Sequence, residues 1–473
     1  MFISFKQTGE TQEQKALQQT VPHLRVSAEV SRLKGLPLVG NLPQFQRRPL
    51  ATLLRATREG GDVARIDLAS ERFDLLSHPE HVRHVLQENS RNYVKGYDKV
   101  AVLLGNGLVT NEGSSWRRQR RLMQPAFHRR RLVGFAEVMV GETTEMLDGW
   151  EAQASAEKSL DVAMEMTLLT QRIIVKTMFG TGVAEEGERI ARAFETALRG
   201  IDTRFVLPLW MTRLPLPANR RFERALSTLD ETVHRIIRER RRGGREDGDD
   251  LLSMLMGARD EETGEGMSDR QIRDEVTTIY LAGHETTAVT LAWAWYLLSK
   301  SPDVARGVRE EVRRVLGDRT PGIEDLKDLT YTRAVVDETL RLYPAAWMIS
   351  RKAVGEDEIG AYRIPAGQVL FLSPYVTHRR EDLWPNPEGF APHRFFSGDG
   401  DDRPRFAYFP FGGGPRICIG NSFALMEATL VVATVMQRCR LDLVPGQTVE
   451  PNPKGTLRPR PVVWMMPRVT GAS

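Results

Sequence analysis

Cysteine is almost absent from this chain: of its 473 residues, only Cys418 and Cys439 carry a thiol. Two cysteines cannot form a disulfide framework, which excludes the disulfide-rich secreted class and favours a reducing compartment. The N-terminus also lacks the basic stretch and apolar core of a signal peptide. Both observations predict a cytoplasmic protein.

Long apolar runs are missing as well. The nearest candidate, residues 276–298, is interrupted at its middle by Gly283, His284 and Glu285, and a charge at that depth would be costly in lipid. We therefore expect a soluble protein without a membrane anchor. A large excess of one charge is also lacking, because the net charge is +4 at pH 7. This balance disfavours nucleic acid as a partner of the chain as a whole.

Several common catalytic motifs are absent. No GxxxxGK[ST] loop is present to hold a phosphate, and the stretch LLGNGLV lacks the third glycine of a dinucleotide-binding fingerprint. The stretch HETTA at 284–288 begins like the zinc-protease motif HExxH, but Ala288 stands where the second histidine is required. These absences argue against P-loop, dinucleotide-binding and zinc-hydrolase functions.

The residues that are present indicate one large, mainly helical domain. Apolar residues make up 41% and charged residues 27%, which is typical of a globular protein. We interpret residues 1–33 as a polar tail and 34–473 as the domain, which opens with two short strands, VARIDL and RFDLLS. Apolar residues then recur at helical spacing, and the longest helix is predicted at 268–300, begun by Ser268 and ended before Pro302. The predicted fold class is mainly α with small β-sheets.

The stretch FGGGPRICIG, residues 411–420, places Cys418 in a glycine-rich loop just before a predicted helix. Glycine lets a flat ligand approach the backbone, the helix N-terminus favours a thiolate, and Arg416 can meet an anionic group. A thiolate, a flat ligand and an anion receptor together describe heme with its propionates. From these residues alone, an inert buried cysteine remains an equal alternative.

The complete pattern F-x-x-G-x-R-x-C-x-G, from Phe411 to Gly420, resembles the heme-binding loop of the cytochrome P-450 family, the heme-thiolate monooxygenases, in its soluble bacterial type. The resemblance covers essentially the whole domain. It implies heme b (iron protoporphyrin IX) as the cofactor and Cys418 as the metal ligand, with Phe411, Arg416 and Gly420 as further heme contacts.

Two other matches imply contacts to the heme propionates. The stretch WRRQRR at 116–121 resembles the family's W-x-x-x-R, which assigns Trp116 and Arg120 to a propionate. Arg351 matches a further propionate-binding arginine.

The stretch AGHETT at 282–287 resembles the family's oxygen-activation motif and falls in the middle of the longest predicted helix. A carboxyl group and a hydroxyl group are costly to bury inside an apolar helix, which suggests that they serve a function. The alternative is an ordinary helix interior, because small polar residues are common there. The resemblance implies that Thr286 hydrogen-bonds a distal oxygen ligand and that Glu285 connects to a proton supply.

The stretch ETLR at 338–341 resembles the family's E-x-x-R pair, and Arg394 resembles the third member of that network. Glu–Arg pairs at this spacing usually mark a solvated helix face, but the residues flanking this one are apolar. His393 stands where the family usually has a glutamate, and we do not expect this difference to alter the chemistry.

Arginine is concentrated just after Trp116. One interpretation is a solvated basic face or nonspecific affinity for nucleic acid. The resemblance favours another, in which this surface attracts an acidic electron donor, a ferredoxin or flavodoxin reduced by an NAD(P)H-dependent reductase. The arginines concerned are Arg117, Arg118, Arg120, Arg121, Arg129, Arg130 and Arg131.

The resemblance implies an enzyme that inserts one atom of dioxygen into a lipophilic molecule, by hydroxylation or epoxidation. Because the chain ends soon after the heme loop, electrons are expected from separate proteins. A fatty acid, terpenoid or polyketide fits an apolar pocket. By the resemblance, its wall is expected from residues 94–110, 199–217, 278–287, 345–350 and 453–457, and Ala345, Trp347 and Met348 are among them. The alternatives are a peroxide-driven or isomerising heme-thiolate enzyme and a non-catalytic heme sensor.

Overall fold

The computed structural model describes residues 29–69, 71–180, 184–206, 214, 216–243, 248–396 and 402–469. The α-helices are α1 (Leu42–Arg47), α2 (Pro49–Gly60), α3 (Pro79–Arg83), α4 (Asp98–Leu104), α5 (Gly113–Met123), α6 (Arg129–Ser155), α7 (Val162–Phe179), α8 (Ala184–Val206), α9 (Pro217–Arg242), α10 (Leu251–Gly257), α11 (Asp269–Lys300), α12 (Pro302–Leu316), α13 (Thr330–Leu342), α14 (Pro374–Thr377) and α15 (Asn421–Arg438).

The strands are short and form small sheets. A six-stranded sheet has the order β1-β2-β3-β9-β6-β4, a three-stranded sheet has the order β10-β13-β5, and two hairpins pair β11 with β12 and β7 with β8. The strands are β1 (Ser31–Arg32), β2 (Val63–Leu68), β3 (Glu71–Leu76), β4 (Tyr93–Val94), β5 (Leu160–Asp161), β6 (Ile349–Ala353), β7 (Asp357–Ile359), β8 (Tyr362–Ile364), β9 (Val369–Leu372), β10 (Cys439–Leu443), β11 (Glu450–Pro453), β12 (Leu457–Arg460) and β13 (Trp464–Val469). This architecture confirms the predicted fold class.

The longest helix agrees with its prediction. Its first turn is capped by Ser268, whose Oγ accepts a hydrogen bond from the Gln271 N–H at 3.2 Å. The two predicted strands are β2 and β3, which pair antiparallel. Of the expected tail, residues 1–28 lie outside the described residues. Ser31 and Arg32, on the tail side of the expected boundary, pair parallel with β2.

Helix α11 runs through the main core because most of its sides are apolar. Trp293 and Trp295 are almost fully buried, and the Trp293 ring stacks on Tyr343 with the ring centres 3.7 Å apart. The Trp293 indole N–H donates to the Leu457 carbonyl at 2.7 Å, which satisfies its buried polar atom. These contacts fix the C-terminal half of α11 against β12 and the residue that follows α13. Among the described residues, we find no helix long and apolar enough to cross a membrane.

Candidate active site

The Cys418 loop is held by backbone contacts just before α15. The Cys418 N–H donates to the Phe411 carbonyl at 3.0 Å. Gly414 has a φ of 65°, and a Cβ atom there would lie 1.8 Å from the Leu86 carbonyl oxygen. Only glycine fits this close approach. This approach holds the loop against the segment at Leu86, and Cys418 lines the adjoining cavity.

A cavity of about 350 Å³ separates this loop from the middle of α11. These elements are distant in the sequence, so the tertiary fold brings the predicted residues together. The predicted site residues that line the cavity are Trp116, Arg120, Thr286, Arg351, Phe411, Arg416, Cys418 and Gly420. Glu285 is buried and is not among the lining residues.

Four basic side chains line this cavity: Lys95, Arg120, Arg351 and Arg416. Arg416 is ion-paired with Glu112, whereas in the described ranges the other three have no carboxylate within 4.0 Å. Burial lowers the pKa of Lys95 to about 8; the Glu112 carboxylate acts in the opposite direction, and repulsion from Arg416 and Arg351 adds to the lowering. Buried cations without carboxylate partners fit a ligand with two negative charges, as the two propionates of heme provide.

The Cys418 thiol is open to the cavity and otherwise enclosed by protein. Burial raises its pKa, although the Gly420 N–H and Arg120 both favour the thiolate. The Gly420 N–H at the start of α15 thus lowers the pKa of Cys418, in the direction that the sequence predicts, but burial raises it by more. A bound metal cation would reverse this balance, since the thiolate is the form that ligates a metal.

Small residues and one hydroxyl form the α11 side of the cavity. Ala282, Gly283 and Thr286 all line it, so space remains between the helix and the Cys418 loop. The Thr286 hydroxyl donates to the Ala282 carbonyl at 2.7 Å. Its proton is thus used within the helix, and its oxygen can accept a hydrogen bond from a group in the cavity.

Glu285 is bound to the segment at β12. Its Oε1 atom accepts hydrogen bonds from Thr456 Oγ1 and Arg458 Nε, each at 2.6 Å. Burial raises the pKa of Glu285, but the contacts with Arg458 and Thr456 outweigh it and hold the pKa below the ordinary value. Glu285 is therefore an ion-paired carboxylate, and its partner Arg458 has a side chain that is 55% exposed.

The predicted Glu338–Arg341 pair lies in the core, and both side chains are 0% exposed. Arg394 lies 3.2 Å from Glu338, as the resemblance implies. Arg341 also donates to the carbonyls of His378 and Pro387. The network joins α13 to the segment that leads into the Cys418 loop and stabilises the position of that loop.

The arginine-rich surface is largely neutralised by acidic residues of the segment before α11. Arg121 pairs with Asp260 at 2.9 Å and with Glu262 at 3.0 Å. Arg118 lies 3.9 Å from Asp260, whereas Arg117 is exposed and has no ion pair in the part of the chain that the structure describes. Arg131 pairs with Asp249 at 3.3 Å, and the side chains of Arg129 and Arg130 lie outside the description.

The expected pocket wall is confirmed in part. Ala345 lines the cavity, but Trp347 and Met348 pack in a separate apolar cluster beneath the six-stranded sheet. The Trp347 indole N–H is used there, donating to the Lys454 carbonyl at 3.0 Å. The contribution expected from residues 207–213 lies outside the described residues.

Sequence reasoning missed Lys95 and Glu112. The Lys95 N–H donates to Glu112 Oε1 at 2.6 Å, and the same carboxylate pairs with Arg416. Neither residue belongs to a recognisable motif. The one available signal was the position of Lys95 at the start of residues 94–110, which were expected in the pocket wall.

Comparison with known proteins agrees with this geometry. The family model for cytochrome P-450 matches residues 31–466. Cyclooctatin synthase of Streptomyces melanosporofaciens is 39% identical, over 90% of this chain and 93% of the relative. Cyclooctat-9-en-7-ol 5-monooxygenase of the same organism is 40% identical, over 88% and 90%. Pentalenene oxygenase of Streptomyces avermitilis is 36% identical, over 88% and 92%. The match over almost the whole chain and the cavity between Cys418 and Thr286 together show that this protein belongs to the cytochrome P-450 family of heme-thiolate monooxygenases.

Proposed function

We propose that this protein is a heme b monooxygenase that inserts one atom of dioxygen into a cyclic terpenoid in the cytoplasm. The observation that carries the proposal is the apolar cavity with Cys418 on one wall and Thr286 on the other. When bound, heme would supply the iron that binds and activates dioxygen. The terpenoid class is suggested by the relatives named for cyclooctat-9-en-7-ol and pentalenene.

The residues of this chain would hold the heme from both sides. Cys418 would ligate the iron, and the cations Lys95, Arg120, Arg351 and Arg416 would bind the propionates. Phe411 and Gly420 would contact the porphyrin from the cysteine side. Binding two anions would relieve the repulsion among these buried cations, which favours retention of the cofactor.

Thr286 and Glu285 would manage protons beside the cavity. With its own proton donated to Ala282, the Thr286 oxygen would accept a hydrogen bond from a water and hold it in place. Glu285 would take protons from solvent water, which reaches its partner Arg458 at the exposed end of that side chain. Ordered proton delivery at this wall would favour product over loss of reduced oxygen as hydrogen peroxide.

The test of the cofactor assignment is Cys418→Ser, with Cys439→Ser as the matched control. Cys439 is buried and does not line the cavity, and its Sγ donates to the Arg440 carbonyl at 3.5 Å. Cys418→Ser should abolish the red-shifted Soret band of the reduced carbon monoxide complex, whereas Cys439→Ser should keep it. An unchanged band in Cys418→Ser would refute the assignment.

We further propose that a ferredoxin or flavodoxin, reduced by an NAD(P)H-dependent reductase, docks near the exposed end of Arg117. Reversing Arg118 and Arg121 would break their pairs with Asp260, so Arg117→Glu is the cleaner probe. The first electron transfer should slow and lose part of its salt dependence. Arg220→Glu, an exposed arginine on α9, should leave the rate unchanged. Equal effects of the two reversals would place the donor elsewhere.

A further inference from the structure

Nearer its N-terminus, helix α11 presents a further hydroxyl group to the cavity, that of Thr278. This residue is 4% exposed and lines the cavity, and its Oγ1 has no hydrogen-bond partner within the described ranges. Two other threonines of the helix donate to the carbonyl four residues earlier, Thr277 at 2.8 Å and Thr290 at 2.9 Å. Thr278 lacks this usual bond, although an unpaired buried hydroxyl is costly. Its hydroxyl is therefore available to a ligand.

The backbone that packs on Thr278 leaves the hydroxyl unpaired. Gly107 lies directly against it, because a Cβ atom at Gly107 would be 2.2 Å from Thr278 Oγ1. The Gly107 carbonyl already accepts from the N–H groups of Thr110 and Asn111, at 3.0 and 2.9 Å. The segment at Gly107 thus packs closely on α11 without satisfying Thr278.

A second polar group with an unpaired atom lies one turn earlier on the same face of α11. Glu275 is fully buried. Its Oε2 accepts from the Leu108 N–H at 2.9 Å, whereas its Oε1 has no partner in the part of the chain that the structure describes. Burial raises the pKa of Glu275 to about 8, although the Leu108 N–H opposes this shift. The carboxyl group is therefore mostly neutral at pH 7, and two neighbouring polar groups lack a partner at one place.

Much of the remaining cavity wall is hydrocarbon. The apolar residues that line it include Leu108, Val109, Ile174 and Ile279. In an apolar pocket, a single polar group fixes the orientation of the ligand. Thr278 precedes Thr286 by eight residues, which is about 12 Å along the helix axis. A substrate held at Thr278 therefore has its polar group at the end remote from Thr286.

We propose that Thr278 binds a hydroxyl group that the substrate already carries, so that the enzyme oxidises a cyclic terpenoid alcohol at a carbon remote from this group. A hydroxyl both donates and accepts, so it can pair with Thr278 Oγ1 and with the Glu275 carboxyl group. The inference rests on the proposed monooxygenase function with a terpenoid substrate. It places the enzyme after a step that introduces oxygen, either an earlier monooxygenation or a cyclisation in which water adds to the final carbocation and a proton leaves.

The test uses the full-length, heme-loaded protein and two pairs of probes, α-cedrene with cedrol and α-guaiene with guaiol. Each pair joins a sesquiterpene hydrocarbon to an alcohol of the same skeleton, and the shift of the Soret band on binding gives the dissociation constants. In Thr278→Val, the affinity for the alcohol relative to the hydrocarbon should fall about tenfold, the effect of one lost hydrogen bond. This ratio cancels any general change in the pocket.

Thr290→Val is the matched control on the same helix. Thr290 also lines the cavity, but its hydroxyl is already bonded to the Thr286 carbonyl, so the ratio should stay at the value of the parent. An unchanged ratio in Thr278→Val with both pairs would overturn the proposal, and it is the result expected if Thr278 holds a water molecule only.

Melting of the substrate-free protein provides a second measurement. Because valine removes an unpaired buried hydroxyl, Thr278→Val should raise the melting temperature by about 1–3 °C. Thr290→Val should not raise it, because that variant loses a formed hydrogen bond. A lower melting temperature in Thr278→Val would overturn the proposal, since the hydroxyl would then have a partner within the protein. If none of the four probes shifts the Soret band of the parent, the terpenoid class in the proposed function is refuted, and with it the alcohol assigned here.

Discussion

Replacing Arg341 with lysine keeps a positive charge beside the buried Glu338 carboxylate. It removes the planar guanidinium group and the fixed directions of its N–H donors. The guanidinium uses all its N–H groups: Nε and Nη2 donate to Glu338 at 2.7 and 2.8 Å. Nη1 donates to the His378 carbonyl at 2.9 Å and the Pro387 carbonyl at 2.7 Å, and Nη2 also donates to the Gly389 carbonyl at 2.9 Å. A lysine has three N–H groups on one atom and cannot reach these acceptors together.

The magnitude follows from the acceptors left without a donor. Each buried acceptor that loses its partner costs about 1–3 kcal/mol. At least two are lost in Arg341→Lys, so the free energy of unfolding should fall by about 2–6 kcal/mol. The melting entropy of a chain this long is about 1 kcal/mol per kelvin, which limits the drop in melting temperature to roughly 2–6 °C. Urea unfolding is therefore the better assay.

Trp384 provides a local signal for that assay, because the Arg341 guanidinium lies 5.2 Å from the centre of its ring. Arg333→Lys is the matched control on the same helix: Arg333 pairs with Asp337 at 2.8 Å, but its side chain is 43% exposed. The control should change the free energy of unfolding by less than about 1 kcal/mol. If the two variants unfold at the same urea concentration, charge alone holds the pair and the geometric argument is refuted.

Three further outcomes are expected. Thr286→Ala should still bind heme, substrate and oxygen but release more hydrogen peroxide per NAD(P)H, and a wild-type ratio of product to reductant would make Thr286 purely structural. Glu285→Gln should lower the free energy of unfolding at pH 7, because Arg458 holds the Glu285 pKa below 4.5. That difference should vanish as the pH falls through the lowered pKa, so a difference that persists at acid pH would contradict it. Lys95→Met should speed transfer of heme to apomyoglobin roughly tenfold, as expected for one lost charge-assisted contact. An unchanged rate would remove Lys95 from the propionate site.

The sequence alone determined the parts of this protein that depend on short-range patterns. The Cys418 loop can be predicted from the sequence because its glycines and arginine stand at fixed distances from the cysteine in the chain. Helix α11 can be predicted because its apolar residues extend from the N-cap Ser268 to Pro302, which ends the helix. Trp116, Arg120 and Arg351 were also found, but only through the family resemblance. The spacing of these three residues carries no information about a shared cavity, which exists only in the folded chain.

Only the tertiary structure decided the partners of the charged residues. Glu285 binds Arg458, which lies 173 residues away in the chain, and the acidic partner of Arg121 lies 139 residues away. Periodicity within a helix shows which face is apolar, but it does not show which distant side chain meets a charge on that face. Local patterns thus fixed the elements, while long-range packing fixed the charges and surfaces on which function depends.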